Sequence, residues 1–241
     1  NVRSGKNSRV RAARVPAVVM VRMPQFPRLV VVPASTDRST VLLRRFYPQD
    51  GDDEAAHPWV AIATGFATGG GLELQKIAGL AASDARALIA QATANVAEGP
   101  RRWDVAEKSG LLFKKPSLLR GMGDLTVPVA AMTTDGGGVD DLASDLVLDE
   151  AFMAGAGAQL GKTALIAAIP KRGWLLVGKC RPGELPVMLK FAAMAKGIAG
   201  RGGRHALTTN CYFFQDGRLH GVSGDGYVSI LTERDDRWNV S

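Results

Sequence analysis

Apolar positions in the front of the chain fall in short runs broken by turn residues, a pattern of strands rather than helices. Ala17–Arg22, Leu29–Val32, Thr40–Tyr47 and Trp59–Thr64 each read as a strand, and the polar stretch from Pro48 to Glu54 is a turn. Together they predict a small, largely antiparallel sheet. The period then changes. Ala85, Leu88, Ile89, Ala92 and Val96 recur at helical spacing, which predicts a helix over Asp84–Ala97. Ser83 is its expected N-cap, and Gly99 followed by Pro100 stops it.

The second half repeats this mixture. A short strand is predicted over Thr126–Met132, then a glycine turn from Thr134 to Gly138. One helix is expected from near Val139 to about Leu160, with Leu142, Leu146, Phe152 and Met153 inward and Asp141, Asp145, Asp149 and Glu150 toward water. Ala164–Ile169 and Trp174–Lys179 form a hairpin around Pro170 to Gly173. Glu184–Ala199 reads as a third helix, because Pro186 sits in its first turn where no N–H is needed. Leu207–Gln215 and Arg218–Val222 flank Asp216-Gly217, a pair suited to a type I′ turn with two positive φ angles. Tyr227–Leu231 supplies a last strand. The fold class is therefore α+β, with mainly antiparallel sheet segments packed against about three helices.

Composition agrees. At 46% hydrophobic and 22% charged, the 241 residues suit a packed domain and exclude disorder. We read 1–14 as a basic N-terminal arm and 15–241 as a single α+β domain, any subdomain division falling near 121–133. No run approaches the ~18–20 apolar residues of a membrane span. The N-terminus lacks the apolar segment and cleavage site of a secretory signal. With only Cys180 and Cys211, no disulfide framework is available, so a cytoplasmic protein is expected.

Charge is unevenly spread over a net +7. Residues 1–50 carry ten Lys or Arg against Asp37 and Asp50, whereas residues 121–150 carry seven acids and no cation. This asymmetry permits an acidic partner or nucleic acid, and equally a contact between the arm and the protein's own acidic helix.

Candidate chemistry is sparse. Ala156 to Thr163 approximates a phosphate-binding P-loop, but Ala156 replaces the first glycine and the segment leaves a helix to open a strand. A P-loop does the reverse, so that helix N-terminal amides meet phosphate. If Asp216-Gly217 is a two-residue turn, Phe213 faces His220 and Cys211 faces Val222. Cys211 and His220 then share a face about 5–8 Å apart, together with Leu207, Phe213 and Val222. That arrangement permits a hydrolase around Cys211/His220, yet an apolar face favours a buried thiol and a satisfied imidazole. His57 in a turn and His205 in a glycine-rich exit have no evident partners. No zinc-ligand spacing appears, and neither a cofactor nor a metal is expected. Lys171 and Arg172 at a hairpin tip, with Arg201 and Arg204 in a glycine-rich loop, are the candidate anion-binding residues. Aromatic residues, at 6%, are too few to interleave with them as a base-stacking platform.

Three stretches carry a family resemblance. They are Pro27 to Pro33 with Thr40–Tyr47, Trp59–Ala63 and the helix through Ala92–Val96; Thr134 to Leu142; and Leu165 to Gly178 through Asn210 to Leu219. Over about residues 25–222 the chain resembles the YtpQ-like family of uncharacterised bacterial proteins. The resemblance implies a cytosolic α+β protein and supplies no catalytic residues. The expected role is a non-catalytic binding or regulatory module acting through a protein partner. The alternative is an anionic-ligand or nucleic-acid binder using the arm and the hairpin-tip cations.

Overall fold

The structure, a computed structural model, describes residues 25–47, 57–68, 71–98, 104–105, 128–129, 140–160, 164–180, 184–224, 227–231 and 237–239. The basic arm, the Ala17–Arg22 run, the glycine turn at 134–138 and most of the 101–120 region lie outside them.

The first sheet contains β1 (Arg28–Val32), β2 (Leu43–Arg45), β3 (Trp59–Phe66) and β4 (Leu72–Leu74), with β3 paired to the other three, all antiparallel. Every residue of β1 is buried because both faces are covered. Leu29 and Val31 enter the main core, while Val30 and Val32 pack with Leu43, Trp59 and Leu142. The expected strand over Thr40–Tyr47 is shorter. Asp37 gathers the Ser39 N–H and the Ser39 and Thr40 hydroxyls, holding the approach to β2 in a turn. Helix α1 (Ala82–Glu98) packs against β1 with Ala85, Ala92 and Val96 inward. It begins before Ser83, and the Ala81 carbonyl accepts the Ala85 N–H. Ser83 is thus inside the helix, not its cap; its hydroxyl meets Asp84.

The second sheet has seven strands in the order β11-β10-β9-β7-β8-β6-β5, each antiparallel to its neighbours. They are β5 (Asp104–Val105), β6 (Pro128–Val129), β7 (Ala164–Ala168), β8 (Leu176–Lys179), β9 (Cys211–Gln215), β10 (Arg218–Gly224) and β11 (Tyr227–Ile230). The β9–β10 turn is the predicted one, with φ of 51° at Asp216 and 84° at Gly217. Gly217 is required twice over. Its φ disfavours a side chain, and a Cβ there would collide with the Glu150 carbonyl.

The long helix expected from Val139 to Leu160 is two elements: a 3-10 segment (Asp140–Leu148) and α2 (Glu150–Leu160). Asp149 separates them. Its carboxylate accepts the Ala151 and Phe152 N–H groups at 3.0 and 3.1 Å, the geometry of a helix N-cap. Capping draws Asp149 out of water, and Asp145 is fully buried, so neither faces solvent as expected; Glu150 does. Helix α3 (Leu185–Ala199) starts with Pro186 in its first turn, as predicted.

Two layers of core flank the second sheet. On one face, Leu165, Ala167, Val177, Tyr212, Phe214 and Val222 join residues of the first sheet, α1 and α2 in one cluster. On the other, Ile166, Ala168, Leu176, Cys211 and Phe213 pack under Met188, Phe191 and Ala195 of α3. Burial of each Leu, Ile, Val, Phe or Met among them contributes about 1.5–3 kcal/mol. The fold is α+β. Among the described residues no helix is long and apolar enough to cross a membrane.

Candidate functional site

The Cys211–His220 pair is not assembled. A bulge between Leu219 and Gly221 takes His220 out of register, so Phe213 faces Gly221, Tyr212 faces Val222 and Cys211 faces Ser223. The expected pairing was therefore one residue off. Phe213 lies with Cys211 under α3, whereas Val222 and Leu207 belong to the opposite core. His220 is exposed and Cys211 is wholly enclosed. Burial pushes the Cys211 and Cys180 thiols up to about 12, so neither is a thiolate nucleophile at neutral pH. The near-P-loop fares no better: Ala156 is buried within α2, and the chain passes from that helix into β7.

The four candidate cations converge in the backbone, and the three side chains described, those of Lys171, Arg172 and Arg201, diverge. Lys171 bridges Ala206, Arg172 N–H donates to the His205 carbonyl, and Leu207 N–H donates to the Pro170 carbonyl. The hairpin tip thus lies along the loop that carries Arg201 and Arg204. Lys171 places its ammonium 4.6 Å from the Trp174 ring centre. Arg201 is exposed, with Nε donating to the Gly197 carbonyl at 3.0 Å. The Arg204 side chain lies outside the described atoms.

Arg172 turns inward. It donates to the Val31 carbonyl at 2.7 Å and meets the Asp145 carboxylate at 3.4 Å, while Asp145 accepts the Val31 N–H at 2.7 Å. Between them, the acid and the base satisfy both polar groups of Val31 on the edge of β1 that faces away from β3. Arg28, also buried, donates to the Asn95 carbonyl in the last turn of α1, and its charge acts on Asp145. Burial raises the Asp145 carboxyl from 3.8 to about 6, against the lowering effects of Arg172, the Val31 N–H, Arg28 and Ser144. Desolvation outweighs attraction here, as is common for enclosed ion pairs.

Two expectations follow from this joint. Arg172→Met strands a buried carboxylate and should lower stability by about 3 kcal/mol at neutral pH in urea denaturation, most of it recovered by adding Asp145→Leu. The raised carboxyl also sets a sign. Its stabilising contribution is full below about 3.8 and is lost as pH rises toward about 6. Between about pH 4 and pH 7 the native chain should lose about 2 kcal/mol relative to Asp145→Asn, read from the two denaturation midpoints.

His57, read as partnerless from the sequence, is the centre of a second joint. Its ring stacks on Tyr47 with centroids 5.2 Å apart, Nδ1 lies 3.3 Å from the Tyr212 hydroxyl and Nε2 lies 3.4 Å from that of Tyr227. Asn210 donates to the Tyr227 hydroxyl, and Tyr47 donates to Ser229. Tyr47 and His57 flank strands of the first sheet, whereas Tyr212, Tyr227 and Ser229 belong to the second. A neutral imidazole has one donor and one acceptor, so it accepts from one phenol and donates to the other. Burial raises the Tyr212 hydroxyl above the ordinary phenol range, with lowering hydrogen bonds from Thr208 and Asn210 too weak to offset it. A neutral, fully enclosed phenol is no general base. The arrangement is a fastening between sheets. Only its chain separation hid it: Tyr212 lies 155 positions beyond His57.

Comparisons with family models, curated proteins and solved structures gave no match. Among the described residues no group of three His, Cys, Asp or Glu stands close enough to hold a metal ion. His57→Phe keeps the stacking surface and removes both hydrogen bonds. It should cost about 1–3 kcal/mol in urea denaturation while leaving the far-ultraviolet circular dichroism unchanged.

Proposed function

We propose that this protein is a non-catalytic, cytoplasmic binding module that acts through a protein partner. One observation carries the reading. The groups with chemical potential (His57, Tyr212, Asp145 and Arg172) are engaged in contacts that join the two sheets, whereas among the described residues the large exposed apolar side chains are on α3 and β11. Two buried, unbridged thiols suit a reducing compartment. Affiliation with the YtpQ-like family is part of the same proposal, supported by the Leu165–Gly178 hairpin and the Asp216-Gly217 turn.

A second reading has its own support. The Lys171–Ala206 bridge draws the hairpin tip beside Arg201 and Arg204, which favours an anionic ligand or nucleic acid at that corner.

Cross-linking of the full chain in its native cell, read by mass spectrometry, separates the two. A recurrent protein adduct that survives nuclease and about 0.5 M salt is expected. Adducts lost on nuclease treatment would replace this reading with the nucleic-acid one. No adduct above the level of a control probe at exposed Glu73 would end it.

A further inference from the structure

We draw no further inference here: the strongest candidate, the exposed apolar surface of α3 and β11 (Leu185, Leu189, Val228 and Ile230), carries nothing because nothing in the structure shows what covers it.

Discussion

Val31 is wholly buried, and its N–H and C=O lie on the edge of β1 that no described strand covers. Buried backbone groups of this kind need partners. Asp145 accepts from one and Arg172 donates to the other, so the ion pair occupies the place a neighbouring strand would take. Asp145 comes from the 3-10 segment and Arg172 from the β7–β8 turn. One residue of β1 thereby fixes how the middle of the chain and the second sheet meet the first. Burial pushes the acid of the pair toward protonation, so keeping Asp145 ionised there costs stability. The role of the pair is register and placement: an unmatched acid, base or edge is worse than the assembled joint.

The His57 cluster does the same work at another point of contact between the sheets. Aromatic stacking supplies area, and two phenols complete the hydrogen bonding of an otherwise costly buried imidazole. These joints engage His57, Tyr212, Asp145 and Arg172 in contacts between the sheets. A polar group placed between packed sheets must be satisfied by its neighbours, and once satisfied it has little capacity left for a ligand. Polar groups thus hold the interior together, and the outward face of α3 and β11 is left with the less usual property, exposed apolar area.

Legibility followed distance along the chain. The Asp216-Gly217 turn, the β7–β8 hairpin, α1 and α3 were readable because their determinants lie within a few residues. Asp149 was also locally readable as a cap before an apolar run, but a continuous helical period masked it. The bulge at His220 left no such mark, and it moved every cross-strand pair beyond it by one residue. That single shift separates Cys211 from His220. The Asp145–Arg172 pair spans 27 residues and Asp145–Val31 spans 114, so periodicity could only assign Asp145 to a polar face.

By itself the sequence determined the α+β class, the order of most elements, the hairpin turn and the reversed context that disqualifies the near-P-loop. Local conformational preference and the spacing of apolar residues suffice for those. Tertiary structure alone decided which charges are interior, which side of the second sheet each residue of β9 faces, and which apolar side chains of α3 and β11 stay exposed. These depend on which distant groups come within hydrogen-bonding or packing distance, and no short window of sequence contains both partners.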